Sequence, residues 1–133
     1  MLGSWIKKQG CYFVLEDLWL DGAGLVTANI YCEGNLKLSR TIIVGWLYAK
    51  GDINLTKRVF VEGEVYAGRN IKLHQDITIE GDVFAAGTIK IGPGSGVIGY
   101  CLRNYDGPWP PKPGWTFDIN GLQNQPNLVR VAK

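Results

Sequence analysis

The chain has 133 residues, which is enough for one domain with a single core. Hydrophobic residues make up 46% of it, and this content excludes a chain that is disordered by composition. The 14 basic residues nearly balance the 12 acidic ones, so charge alone indicates neither nucleic acid nor an anionic membrane as the default partner.

The N-terminus, Met1-Leu2-Gly3-Ser4-Trp5-Ile6-Lys7-Lys8, combines bulky apolar groups with two lysines. It lacks the apolar stretch of a secretory signal, and no apolar run downstream is long enough to cross a bilayer. We therefore expect a cytoplasmic protein. This N-terminus has two interpretations, contact with a membrane surface or a cap on the open end of a core, and the residues concerned are Leu2, Trp5, Ile6, Lys7 and Lys8.

From Ile30 onward an aliphatic residue recurs every six residues, with one step of five between Ile42 and Leu47. A second apolar or small residue follows each one two positions later. Each unit is therefore an inward-outward-inward strand with a polar corner, and β-branched residues dominate the inward positions. Only about three residues separate successive strands, which favours a bend over a hairpin reversal.

Three units make an 18-residue turn, visible in Val65-Tyr66-Ala67 against Val83-Phe84-Ala85. Small residues recur on one side and large ones on another, as a filled triangular core requires. The inward pairs are Ile30/Cys32, Leu47/Ala49, Val65/Ala67 and Val83/Ala85 on side one; Leu36/Leu38, Ile53/Leu55, Ile71/Leu73 and Ile89/Ile91 on side two; and Ile42/Val44, Val59/Val61 and Ile77/Ile79 on side three.

The pattern continues weakly upstream through Tyr12/Val14, Leu18/Leu20 and Leu25/Thr27. The sequence thus predicts an all-β fold, a single short three-sided β-helix of roughly five turns over residues 1–103. The repeats are clearest over 30–99. Residues 104–133 form an irregular tail rich in Pro and Trp, which we expect to cap a coil end or to dock in an aromatic groove. Its candidate docking residues are Trp109, Pro110, Pro111 and Trp115.

The cysteines Cys11, Cys32 and Cys101 lie far apart, and His74 is the single histidine. This spacing disfavours a zinc site or a disulfide framework and indicates a reducing compartment. Cys32 falls at an inward position, where a thiol behaves as a small hydrophobe. We predict no catalytic, cofactor-binding or metal-binding residues, no small-molecule substrate, and a protein that is not an enzyme.

The outward residues of side one are aromatic in successive turns: Tyr31, Tyr48, Tyr66 and Phe84. This strip is interpreted either as stacking that stabilises the coil or as an exposed interaction surface. Phe60 and Ile43 are predicted to extend the apolar exterior on side three. Side two carries a weak basic stripe of Lys37, Asn54, Lys72 and Lys90, whose lack of interleaved aromatic residues argues against nucleic-acid binding.

Two runs, Val61-Glu62-Gly63-Glu64-Val65-Tyr66-Ala67 and Ile79-Glu80-Gly81-Asp82-Val83-Phe84-Ala85, resemble the bactofilins. These are bacterial polymer-forming cytoskeletal proteins whose core is a compact β-helix that assembles end to end. The resemblance covers about residues 12–99 and implies a bacterial protein whose partner is itself. The resemblance also implies an N-terminus that contacts a membrane surface. The early start of the strand pattern and the Pro- and Trp-rich C-terminus depart from the family.

The first functional hypothesis is therefore a non-enzymatic, self-associating structural scaffold that forms homo-oligomers or polymers. The alternative is a discrete module that binds a protein or a carbohydrate through the aromatic strip. The third is a protein similar to hexapeptide-repeat acyltransferases, with His74 as general base. That family places a small residue two positions before each aliphatic one, where this chain has Lys57, Arg69 and Gln75.

Overall fold

The computed structural model describes residues 5–8 and 11–105 of the chain, with side chains described from residue 12 onward. Every element in this part of the chain is a β-strand, and the strands form a β-helix of about five turns. The strands are β1 (Trp5–Lys8), β2 (Cys11–Val14), β3 (Leu18–Val26), β4 (Asn29–Cys32), β5 (Leu36–Ile43), β6 (Leu47–Ala49), β7 (Ile53–Val61), β8 (Val65–Ala67), β9 (Ile71–Leu73), β10 (Ile77–Ile79), β11 (Val83–Ala85), β12 (Ile89–Ile91), β13 (Gly96–Val97) and β14 (Cys101–Leu102).

The strands stack in parallel on three sides, which confirms the predicted fold class. Side one is a sheet of β2, β4, β6, β8, β11 and β14, with β1 added antiparallel along its N-terminal edge. Sides two and three belong to one sheet, because β3, β5 and β7 continue round the corner between them. In later turns that corner separates β9 and β12 on side two from β10 and β13 on side three.

The interior is filled by the inward residues of all three sides. On side one, Cys32 pairs with Ala49, Ala49 with Ala67 and Ala67 with Ala85, so small residues form one column. Large aliphatic residues such as Leu55 and Leu73 align on side two. These inward residues are buried, and the Sγ of Cys32 lies 3.0 Å from the carbonyl oxygen of Glu16. Burial raises the pKa of the Cys32 thiol to about 11.

The predicted register was wrong by one residue on side three of the second turn. Thr41 and Ile43 align with Val59 and Val61 and are buried, whereas Ile42 points outward and is 45% exposed. The step of five therefore lies between Leu36 and Thr41, at the corner where β5 has one residue fewer than β7. Thr41 fits the interior because its Oγ1 donates a hydrogen bond to the carbonyl oxygen of Ser39 at 2.9 Å.

The predicted register was also wrong by one residue on side three of the first turn. Gly24 and Val26 pair with Thr41 and Ile43, so they take the inward positions that the sequence assigned to Leu25 and Thr27. Leu25 instead points outward and is 65% exposed. The cause is the irregular register between Asp21 and Gly24, which delays the return to the strand pattern.

The corner between sides two and three requires a left-handed backbone in successive turns. Arg40, Arg58 and Asp76 have φ values of 50°, 50° and 56° there, and Gly94 has a φ of 70° in the following turn. Such values are uncommon for residues with a Cβ. Arg40 and Arg58 were not indicated by the sequence, because arginine is not a residue type that favours this conformation.

The corner between sides one and two is held by a ladder of Asx side chains. Asp17 Oδ1 accepts a hydrogen bond from the Asn35 amide at 2.7 Å, and Asn35 Oδ1 accepts one from the Asp52 amide at 2.8 Å. Asp52 and Asn70 repeat the arrangement at 3.0 and 2.9 Å toward the next turns. These side chains satisfy backbone amides that a bend removes from the strand ladder.

Candidate interaction surfaces

The outward aromatic residues of side one form a continuous stack. Phe13, Tyr31, Tyr48, Tyr66 and Phe84 align through the strand register and pack as one hydrophobic cluster, here called the aromatic stack. The Tyr31 and Tyr48 rings are parallel with centroids 4.9 Å apart, and the Tyr48 and Tyr66 centroids are 5.1 Å apart. The sequence thus placed these rings on one face correctly.

The aromatic stack is buried, so the prediction of an exposed aromatic strip was wrong. Tyr31 is 0% exposed, Phe84 3%, Tyr48 7% and Tyr66 8%, although all four point away from the interior. The period-two pattern gives the side of the strand on which a ring lies, but it carries no information about what packs over that side. Leu15, Trp46 and Tyr105 pack against the stack as partly buried neighbours.

Burial makes the tyrosines of the stack weaker acids than an exposed tyrosine. The Tyr31 hydroxyl donates a hydrogen bond to Glu33 Oε2 at 2.9 Å, and burial followed by this bond raises the Tyr31 pKa far above its ordinary value. Burial, then the neighbouring Tyr66 and Glu33, raises the Tyr48 pKa to about 12. The phenols therefore stay neutral to a higher pH than an exposed tyrosine does, and they act as packing groups.

Side three carries an exposed apolar ridge that differs from the predicted one. Ile43, assigned to the exterior from the sequence, is 0% exposed because the register shift turns it into the core. Ile42 takes the outward position and aligns with Phe60, which is outward as predicted and half-buried. Leu25 aligns with Ile42 in the preceding turn, and Leu25, Ile42 and Phe60 together form what is here called the side-three ridge.

Side two presents the predicted basic stripe, but the expectation that it carries no aromatic residue was wrong, since Trp19 lies in line with it. Trp19 is 52% exposed and aligns with Lys37, whose Nζ lies 4.9 Å from the Trp19 ring centroid. An open cavity of about 470 Å³ lies here, bordered by Trp19, Lys37, Asn54 and the corner residues Asp17, Asn35 and Asp52. The outward position of Trp19, between the inward Leu18 and Leu20, was the signal that could have found it.

His74 lies at the edge of side two and is half-buried. Its Nε2 is 3.2 Å from Asn54 Oδ1, and burial, then Lys72 and Lys37, lower its pKa. The described residues include no cluster of three or more His, Cys, Asp and Glu that could hold a metal ion, and no helix that could span a membrane.

The C-terminal end of the coil exposes residues that are interior in every earlier turn. Ile91 aligns with Leu73 and Cys101 with Val83; Leu73 is 1% and Val83 0% exposed, whereas Ile91 is 49% exposed and Cys101 is also exposed. Further apolar side chains surround this end: Ile98 is 72% exposed, Tyr100 77% and Leu102 45%.

The structure describes only some of the candidate residues near the two ends of the chain. The backbone of Trp5, Ile6, Lys7 and Lys8 forms β1, antiparallel to β2 at the N-terminal edge of side one. The membrane contact and the end cap that were predicted for this segment both stay predictions, and Leu2 lies outside the described residues. The same holds for the tail residues Trp109, Pro110, Pro111 and Trp115.

Comparison of the chain with protein families, with curated proteins and with solved structures gives no match.

Proposed function

We propose that this β-helix is a self-associating structural scaffold, similar in this respect to the bactofilins, and that its coils pair through their C-terminal ends. The observation that supports the proposal most is the exposure of interior positions in the last turn. Ile91 and Cys101 continue columns that are buried in earlier turns. Stacking another coil on this end would bury them as the inner turns bury Leu73 and Val83.

The backbone of the last turn also offers hydrogen-bonding groups to a partner. In the preceding turn the Ile71 amide donates to the Thr88 carbonyl at 2.9 Å, and the Val83 amide donates to the Tyr100 carbonyl at 2.7 Å. Ile89 aligns with Ile71, and Cys101 aligns with Val83. The amides of Ile89 and Cys101 therefore point beyond the last described turn. An exposed strand edge at this end would recruit another strand.

The two coil ends are not equivalent. The antiparallel strand β1 ends the parallel series of side one at the N-terminal edge, whereas β14 ends it in parallel register at the other. We therefore favour pairing of two C-terminal ends, an isologous contact that closes at a dimer. Growth beyond the dimer needs a second surface, and the side-three ridge of Leu25, Ile42 and Phe60 supplies an exposed apolar one.

Sedimentation velocity over a wide concentration range tests this proposal. The wild-type chain should shift from monomer to larger species as concentration rises, whereas Ile98→Lys combined with Leu102→Lys should stay monomeric, because charges at the end would be buried by pairing. Gln75→Lys with Ala86→Lys adds the same charge at two exposed corners and should assemble as the wild type does. Ile42→Lys should stop assembly at the dimer.

Two results would contradict the proposal. One is a wild-type chain that remains monomeric at every concentration. The other is an end variant that assembles as well as the corner control.

A second candidate function, a carbohydrate-binding module, is favoured by the cavity on side two. An exposed indole beside carboxylate and amide oxygens suits a sugar ring, which stacks on aromatic faces and offers hydroxyl groups for hydrogen bonds. Lys37 already covers one region of the Trp19 ring, so a ligand would have to displace it. Binding to a glycan array that is lost in Trp19→Ala, and kept in Lys90→Ala, would support this candidate; equal binding by the wild type and Trp19→Ala would exclude it.

A further inference from the structure

The burial of the aromatic stack requires material outside the coil. A β-helix is one strand layer thick, so an outward side chain is flanked by its neighbours in adjacent turns but has nothing of the coil above it. The other two sides are less fully covered: outward Trp19 on side two is 52% exposed and outward Ile42 on side three is 45% exposed, while Phe60, which aligns with Ile42, is half-buried. Tyr31, at the same kind of position on side one, is 0% exposed. Among the described residues, side one is therefore covered more fully than the other two sides.

The described end of the chain lies on the aromatic stack. The Tyr105 amide donates a hydrogen bond to the Ala85 carbonyl at 2.8 Å, which fixes its backbone beside the last turn of side one. Its ring packs edge-on against Phe84 at 5.4 Å and reaches back to Tyr66 at 6.0 Å. The chain thus leaves the coil on the outer surface of the stack, with its last described ring directed toward earlier turns.

We infer that residues 106–133 fold back along side one and cover the aromatic stack. The stack extends over five turns from Phe13 to Phe84, a distance of about 19 Å at the spacing of neighbouring strands, which about six extended residues can span. The segment is several times longer than that. It also carries apolar groups suited to a groove lined with rings: Trp109, Pro110, Pro111, Pro113, Trp115 and Phe117.

In this arrangement the tail lies on side one of the coil, whereas an end cap would lie across the last turn. With the tail on side one, the C-terminal end of the coil remains open, so the inference is compatible with end pairing but does not rest on it. It would also make side one a buried layer between the coil and its own tail, which explains why strands β6, β8 and β11 are buried at every position.

Photo-crosslinking in the full chain tests the inference. Benzoylphenylalanine replaces Tyr66 in one variant and the exposed, outward Lys72 on side two in a matched control. Crosslinked peptides are identified by mass spectrometry in a mixture of unlabelled and ¹⁵N-labelled chains. We expect the Tyr66 variant to crosslink to residues 106–133 of the same copy, with a yield that does not depend on concentration, and the Lys72 variant to give no such product.

A second measurement does not depend on the unnatural residue. Hydroxyl-radical modification of Tyr48 in the full chain should be slow, and Trp109→Ser combined with Trp115→Ser should raise it about tenfold, the ratio of the exposed fractions of Tyr100 (77%) and Tyr48 (7%). Crosslinks to a second copy, crosslinks only to residues before 106, or no crosslink at all would overturn the inference. So would an unchanged Tyr48 modification rate in the double variant.

Discussion

The rings of Tyr31 and Tyr48 lie parallel, within 2° and 4.9 Å of each other, on the outside of the coil, and both are buried. Their strands are therefore packed on both faces, with Cys32 and Ala49 inside and the rings outside. Parallel sheets are commonly buried on both faces in this way. The described part of the chain thus has two hydrophobic clusters, the interior of the coil and the aromatic stack.

Removing a ring from the middle of the stack should cost much of the stability of the fold. Tyr48→Ala is expected to lower the free energy of unfolding by about 3–5 kcal/mol, the range for large aromatic-to-alanine changes at buried sites. Lys72→Ala, at an exposed outward position on side two, should change it by less than about 0.5 kcal/mol. Chemical denaturation measures both. A loss below about 1 kcal/mol for Tyr48→Ala would show that the ring is not packed.

The corrected register on side three makes two adjacent isoleucines behave differently. Ile43→Ala should lower the free energy of unfolding by about 2–5 kcal/mol, because Ile43 is completely buried. Ile42→Ala should lower it by less than about 1 kcal/mol, since Ile42 is 45% exposed. Thermal or denaturant unfolding of the two variants compares them directly. The reverse order of effects would restore the register that the sequence pattern first indicated.

The repeat predicted the strands well because each inward position demands an aliphatic residue. The pattern failed on side three, where a polar residue is buried. Apolarity alone favoured Ile42 and Val44 as core residues over Thr41 and Ile43, but Thr41 is buried with its hydroxyl bonded to the Ser39 carbonyl. The left-handed corners at Arg40 and Arg58 were invisible because neither residue type favours that conformation. The burial of the aromatic stack could not be predicted, since it depends on contacts between distant segments rather than on alternation along a strand.

Close contact between turns gives Gly63 and Gly96 opposite responses to alanine. A Cβ at Gly63 would lie 2.6 Å from the backbone oxygen of Gly45 in the previous turn, so Gly63→Ala should lower the free energy of unfolding by about 1–3 kcal/mol. A Cβ at Gly96 would meet nothing within 4 Å. Gly96→Ala should be neutral or stabilise by up to about 1 kcal/mol. Equal destabilisation by both variants would show that the turns are not in this register.

Alkaline pH should destabilise the fold through the tyrosines of the stack. The Tyr48 pKa is near 10 in the unfolded chain and about 12 in the folded one. Because the folded pKa is raised, this contribution is fully present below pH 10 and is lost as pH rises to 12, by about 1.4 kcal/mol per pH unit. Tyr48→Phe should therefore lose less stability between pH 10 and 12 than the wild type. Identical pH dependence of denaturation in the two proteins would exclude this role for Tyr48.

Hydrogen exchange at the last turn tests the proposed end pairing most directly. The amides of Ile89 and Cys101 point beyond the last described turn, whereas those of their counterparts Ile71 and Val83 are bonded within the coil. If coils pair through this end, exchange at Ile89 and Cys101 should slow as protein concentration rises, while exchange at Ile71 and Val83 stays slow throughout. Exchange at Ile89 and Cys101 that is equally fast in monomers and in assemblies would contradict the account.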